Sequence, residues 1–509
     1  MLSRMNYAIL KKILHNMEAY MIQIKNVTLE DVDLMVVPVF EDTLTKESGL
    51  KPLFESKVFC GKENELFVLP SMNEQMKYTL YLGLGKEEDL TAESFKMSVA
   101  NAIKKAMSLK VSTVGVTICI CEKLCVGGNV RAITEASLLA GYVFDQYQTQ
   151  SPEKKAITVY ISGVPEEKYN RALEVTRESE AIAEGVILAR DLTNEPSNKL
   201  YPETLAQKAW EVFKDTEVEV EVLDEKQIEI LGMKAFLTVG NSSYRKPRLI
   251  VMRYKGASKE EEILGLVGKG LTYDTGGYSI KPTDSMKTMH SDMGGAAAVI
   301  GAMHTIAKNK AKRNVIAVVA ACENVISGES YKPGDIIETM AGKTVEIANT
   351  DAEGRLTLAD AVTYIIEKEK VDKVIDVATL TGAVLVALGT EYTGVITNND
   401  AFYQEILKAS QKSGEKFWLL PNDKAFAKLN KSHVADLKNV GGRNAGAITA
   451  GLFIENFVKD LPWLHLDIAG TSWVDTNEGY FSKGGTGIPV KTLYALVANP
   501  CPCGHHKSE

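Results

Sequence analysis

Several things are scarce or missing in this sequence, and each absence excludes a class of protein. No apolar run approaches the roughly 18 residues that a membrane-spanning helix needs, so no segment reads as a membrane anchor. Cysteine is sparse, seven in 509 residues, and Cys60, Cys119, Cys121, Cys125, Cys322, Cys501 and Cys503 show no framework spacing. That excludes a disulfide scaffold and fits a reducing cytoplasm. Basic charge is not in excess: 58 Lys and Arg against 66 Asp and Glu leave a formal charge of -8, so nucleic acid is not a leading partner. Three catalytic templates are also missing. There is no His-Glu-x-x-His helix, no Gly-x-Ser-x-Gly elbow, and Gly342-Lys343-Thr344 lacks the upstream glycine of a phosphate loop because Ile337 stands there.

What is present is ordinary globular composition, 45% hydrophobic and 24% charged, in a chain long enough for more than one core. Residues 1–20 carry Leu2, Met5, Ile9, Ile13 and Met17 at helical spacing, but Lys11 and Lys12 interrupt the apolar centre that a signal peptide would need. They are expected to form an amphipathic extension, or else the natural chain starts at Met21. Residues 21–175 alternate strand-like runs, as at Leu34–Phe40, Tyr78–Gly83, Val114–Cys121 and Ala156–Ile161, with helical patterns at Ser94–Leu109 and Val130–Tyr147. This is a smaller N-terminal α/β domain, with Cys119 and Cys121 as small buried hydrophobes of a strand. A charge-rich helical pattern ending at Asn194-Glu195-Pro196-Ser197-Asn198 makes residues 176–200 a linker helix and turn. Residues 201–498 then resume with near-continuous apolar strands, which predict a mixed central sheet flanked by helices in a larger catalytic domain. The Cys and His tail, 499–509, is expected to be flexible.

In sheets of this kind reactive groups gather at the carboxyl ends of strands. Asn349-Thr350-Asp351-Ala352-Glu353-Gly354-Arg355-Leu356 sets two acids one residue apart before an apolar helical pattern. Thr350 or Asp351 could simply cap that helix. A second glycine-rich stretch, expected as loops after a strand ending at Val267, brings Lys269, Asp274 and Lys281, and is followed by Asp292. Four acids in one cleft, Asp274, Asp292, Asp351 and Glu353, would repel unless divalent cations neutralised them. An oxygen-rich set suits Mn²⁺, Mg²⁺ or Zn²⁺, and a pair of such ions polarises a carbonyl and activates water. Lys281 and Arg355 are then cations available to a developing oxyanion, although Arg355 cannot be a base.

The octapeptide resembles the signature of the leucyl aminopeptidases, the cytosol aminopeptidase or peptidase M17 family. The similarity extends to Gly268–Pro282, Asp292–Ala297, Tyr331–Asp335, Asp376–Ala383 and Asp467–Thr471, covers roughly Arg190 to Leu493, and reaches the first half in layout only. The resemblance implies metal ligands at Lys269, Asp274, Asp292, Asp351 and Glu353, with Lys269 binding as a neutral amine. It implies catalytic roles for Lys281 and Arg355, the latter holding a bicarbonate ion as general base. Met289, Asn349, Thr379, Leu380 and Gly382 would line the pocket for the first side chain, favouring Leu or Met with broad tolerance. Also implied are two Mn²⁺ or Zn²⁺ ions per subunit, peptide substrates and a homo-hexamer. Two alternatives use the same chain differently: a nucleic-acid-binding regulator, or a two-metal phosphoesterase. His290 and His465 are expected to be structural.

Overall fold

The first sheet is built from short alternating strands whose inward residues are aliphatic. In a computed structural model that describes residues 20–44, 49–71, 76–150 and 155–498, these are β1 (Tyr20–Ile24), β2 (Leu34–Val39), β3 (Leu66–Ser71), β4 (Lys77–Gly83), β5 (Thr113–Thr117) and β6 (Ile157–Ser162). They lie in the order β1-β6-β5-β2-β4-β3, parallel throughout except for β3 against β4. Leu34, Val36, Leu80, Leu82, Val114, Val116, Val159 and Ile161 are fully buried, the period of two that a sheet face requires. A capping box between Thr91 and Ser94 starts the helix Ala92–Ser108.

The strand expected to reach Cys121 stops at Thr117, because Asn129 takes over the main chain beyond it. Its side chain accepts from Cys119 N at 2.7 Å and donates to Cys119 O at 2.9 Å. Cys119 is buried as expected, whereas Cys121 is half-buried and Cys125 is exposed as N-cap of the helix Val126–Ala140. The expectations for residues 1–19 and for the Cys and His tail lie outside the described residues.

The 26-residue helix Tyr169–Asn194 follows. The chain divides inside it: the described residues up to Glu184, with Thr476–Lys483, form one compact unit, and Gly185–Asp475, with the described residues from Gly484, form another.

In that second unit β7 (Val218–Leu223), β8 (Arg248–Lys255), β9 (Ile263–Asp274) and β10 (Asn314–Asn324) are joined, after the short β11 (Ile336–Glu338) and β12 (Thr344–Glu346), by β13 (Lys373–Ala378), β14 (Thr393–Thr397), β15 (Phe417–Leu419), the two-residue β16 (Leu437–Lys438) and β17 (Trp463–Asp467). The main sheet runs β15-β14-β17-β13-β9-β10-β8-β7, with a parallel centre and antiparallel pairings at β14–β17, β10–β8 and β8–β7. The strand β9 continues well past Val267 to Asp274, so Lys269 is a strand residue and not part of a loop. The reason is packing on both faces. Helix Gly294–Lys308 covers one face so closely that a Cβ on Gly295 would sit 2.1 Å from Val377 O, and Gly354–Glu367 covers the other. A small separate sheet, β11-β12-β16, pairs β12 and β16 in parallel, which carries the residue after β16 alongside the octapeptide.

Candidate active site

Four carboxylates and two ammonium groups meet where β9 ends. Lys269 Nζ lies 2.8 Å from Asp292 Oδ1 and 3.0 Å from Glu353 Oε1, and donates to Thr379 O at 2.9 Å. Lys281 Nζ lies 2.9 Å from Asp274 Oδ2 and 2.5 Å from Asp351 Oδ1. Each lysine therefore bridges two acids. Asp274, Asp351 and Glu353 each offer an oxygen within 4.8 Å of the other two. Lys269 can reach across only because Gly354 opens the next helix: a Cβ there would stand 2.5 Å from Lys269 Cε.

The electrostatics follow from burial and an unequal count of charges. Burial disfavours charge on Lys269 and Lys281, yet the surrounding carboxylates outweigh it and hold both amines above their ordinary range. Burial, reinforced by Glu353, pushes Asp274 and Asp351 up, and Asp292 rises to about 6. Glu353 alone is held down, because Lys269 and Lys281 overcome its burial. Two ammoniums cannot neutralise four carboxylates, and Asp292 Oδ2 and Glu353 Oε2 are buried without any hydrogen-bond partner. Hard oxygen donors with unused lone pairs and a shortage of positive charge are what divalent cations fit.

The octapeptide is held from three sides. Neither Thr350 nor Asp351 caps the helix, contrary to the capping expectation: the N-cap is Glu353, with no side-chain cap bond. Thr350 is used elsewhere, donating to Gly276 O at 2.6 Å and accepting from Ser279 N at 2.8 Å, while Asp351 turns to Lys281. Asn324 donates to both Asp274 Oδ1 and Thr350 O, at 2.8 and 3.0 Å. Asn439, directly after β16 and fully buried, accepts from Ala348 N at 2.8 Å and donates to Asn349 O at 2.6 Å. Its own carbonyl accepts from Arg355 Nη1 at 2.8 Å. Sequence reasoning missed Asn439 and Asn324, which lie far along the chain from the motif and carry no local signal.

Arg355 makes no ion pair with its acidic neighbours. It is buried, Nε has no partner, and burial lowers it to about 10 against the opposing pull of Glu353, Asp467 and Asp351. A buried guanidinium with a free N–H is a fitting seat for a small anion.

All of the sequence-predicted positions border one cavity of about 690 Å³: the cluster Lys269, Asp274, Lys281, Asp292, Asp351, Glu353 and Arg355, together with Met289, Asn349, Thr379, Leu380 and Gly382. The structure brings every one of them together. His290 and His465 are not on that lining. His290 stacks edge-on to Trp473 with ring centroids 5.5 Å apart. His465 Nδ1 lies 2.6 Å from Asp376 Oδ1, while Trp463 Nε1 donates to Asp376 Oδ2 at 2.7 Å. Burial works against charge on His465, and Asp376 more than restores it.

Comparison with known proteins agrees with this geometry. The Cytosol aminopeptidase family, catalytic domain, matches residues 187–494, and the same family's N-terminal domain matches 36–151, so the likeness of the first half goes beyond layout. A probable cytosol aminopeptidase of Clostridium perfringens is 46% identical over 491 residues, 95% of this chain and 100% of that protein. Among solved structures, a tomato leucine aminopeptidase mutant is similar with a TM-score of 0.84 at 32% identity, over 94% of this chain and 96% of that one. The bottromycin maturation enzyme BotP in complex with Mn is similar with a TM-score of 0.84 at 30% identity, over 92% of this chain and 99% of that one. A catalytic-domain match over more than half of its length, and a relative aligned from end to end, make this chain a member of the cytosol aminopeptidase family.

Proposed function

We propose that this metal-dependent aminopeptidase releases N-terminal residues from peptides, Leu and Met preferred with broad tolerance, using two divalent cations, Mn²⁺ or Zn²⁺. The ligands would be Asp274, Asp292, Asp351, Glu353 and Lys269, the last as a neutral amine, because dications would take over the positive charge that the carboxylates otherwise keep on it. The observation that carries this reading is the pair of partnerless buried oxygens, Asp292 Oδ2 and Glu353 Oε2, inside a cluster with more carboxylates than ammoniums. When bound, such a pair polarises the scissile carbonyl and lowers the pKa of water enough to supply a nucleophile at neutral pH.

The chain's own groups do the rest. Lys281, 2.9 Å from Asp274 Oδ2 and 2.5 Å from Asp351 Oδ1, is placed to donate to the carbonyl oxygen as charge develops there. Arg355 remains a cation, so its role is to hold an anion through its free Nε–H while Asn439 fixes the other end of the guanidinium. A bicarbonate ion seated there would supply the general base that arginine cannot be. Met289 and Leu380 give the pocket for the first side chain an apolar surface, which discriminates by shape and only weakly. The site selects free N-termini because an uncharged α-amine is a ligand that an internal peptide bond lacks.

We place the enzyme in the cytoplasm as a homo-hexamer. The relatives are named cytosol aminopeptidases, and no helix among the described residues is long and apolar enough to cross a membrane. The phosphoesterase and nucleic-acid alternatives are not favoured. Hydrolysis of leucine p-nitroanilide with added Mn²⁺ or Zn²⁺, before and after Asp351→Ala, tests the activity; turnover that survives both chelation and the substitution would refute it. Anomalous scattering counts and identifies the ions, and sedimentation velocity reads the assembly.

A further inference from the structure

We propose that Arg443 binds the free C-terminal carboxylate of the residue following the scissile bond, which makes this enzyme prefer dipeptides over longer chains. The proposal rests on the function just described, with the substrate amine anchored at the carboxylate cluster. Arg443 is exposed on the lining of the same cavity. Among the described residues it makes no hydrogen bond, ion pair or ring contact. Every other charged group on that lining is engaged. Lys269 and Lys281 bridge the carboxylates, Arg355 donates to Asn439 O, and Asp475 accepts from Trp473 Nε1 at 3.2 Å. Arg443 is thus the one cation of the lining, among the described residues, with all its donors available.

Its position on the chain assigns it to the leaving side. The segment that carries it starts at Asn439, which is tied to Arg355 and to the octapeptide, and ends at the helix Gly446–Glu455. Val440 and Gly442 of this segment also line the cavity. The surface expected to take the first side chain is built mainly by other elements, the turn Met289–Ser291 and the residues after β13, from Thr379 to Gly382; its remaining member, Asn349, is where the two walls meet, through its bond from Asn439. Of the walls left to the next residue of a substrate whose amine and first side chain occupy those parts, the one formed by Val440, Gly442 and Arg443 is the one that carries an unengaged cation. In a dipeptide that residue ends in a carboxylate, which a guanidinium grips with two parallel N–H donors. In a longer peptide the charge lies further out, and an amide takes its place. Solvent around Arg443 keeps the gain modest.

The test uses the full-length, Mn²⁺-loaded enzyme and compares Leu-Gly with Leu-Gly amide, which differ only in the terminal charge. The wild type should favour the acid by about fivefold in kcat/KM, carried by KM, and rising ionic strength should shrink that preference. Arg443→Gln should bring the acid-to-amide ratio close to one, and Arg443→Lys should keep part of it. A ratio that is the same in Arg443→Gln as in the wild type overturns the proposal. If Arg443→Gln is inactive on both peptides, the Arg443→Lys variant and the salt series decide: a ratio that responds to neither overturns the proposal as well. Failure of the wild type to cleave either peptide would instead overturn the proposed function on which this rests.

Discussion

Two buried carboxylates about two helical turns apart, Asp360 and Glu353, show how differently one helix can treat the same chemical group. Asp360 accepts from Phe236 N at 2.9 Å and Met340 N at 2.8 Å, so each oxygen meets a fixed main-chain donor. No lysine among the described residues pairs with it, and burial lifts it to about 7. Glu353 has one oxygen against Lys269 and one with no donor at all, and the two lysines hold it below the ordinary carboxylate range despite its burial. The first acid ties elements together. The second keeps an oxygen unspent, and that separates a clamp from a ligand.

The largest test of this contrast is at the cluster. Asp351→Ala or Glu353→Gln should lower kcat/KM on leucine p-nitroanilide by more than the roughly 100-fold typical of residues that only orient ligands. Calorimetric titration should show weakened Mn²⁺ binding, while circular dichroism stays unchanged. Activity within tenfold of the wild type would dissolve the distinction from Asp360. Next, Asn439→Ala removes the side-chain amide that holds the octapeptide at Ala348 N and Asn349 O, while keeping the main-chain carbonyl that receives Arg355, and should cost about 10- to 100-fold in activity. Asn439→Ala should also leave a folded protein, as judged by an unchanged near-ultraviolet spectrum.

Asp360→Asn should leave metal binding intact but destabilise the fold by about 1 to 3 kcal/mol in urea unfolding, because an amide can satisfy only one of the two main-chain donors. It also carries a pH signature. An acid whose folded pKa is raised from 3.8 to about 7 binds more protons folded than unfolded across that window, so its contribution to stability is greatest at low pH and is lost as pH rises towards 7. The variant should flatten that decline in a series of melting curves, whereas Glu353→Gln, whose native pKa is lowered, should not. The smallest effect belongs to the pocket. Met289→Ala should narrow the preference for Leu over Ala at the substrate N-terminus by about 1 kcal/mol in kcat/KM, with metal affinity unmoved.

How far these features were legible depends on how local they are. The oxygen-rich set could be read because Asp351 and Glu353 are adjacent on the chain and because four like charges demand an explanation wherever they meet. The glycines around Lys269 could be read as a close approach, but not as a strand: Gly268 and Gly270 look like loop residues until the helix at Gly295–Ala296 is laid against the first and β10 against the second. Thr350 looked like a cap for the same reason. Its hydroxyl has a better partner in Gly276 O, 74 residues away, and a distant partner leaves no periodic trace.

The sequence by itself determined the α/β character of the chain, the side chains of the cluster and the need for positive charge among them, since those follow from residue type and short spacing. Only the tertiary structure decided that Glu353 has an unpartnered oxygen and Asp360 does not, that Asn439 reaches Arg355 across 84 residues, and that Arg443 stands free on the same cavity. The physical reason is that a hydrogen bond is assigned by proximity in space, and the parallel pairing of β12 with β16 that creates this proximity is a long-range choice no local pattern encodes.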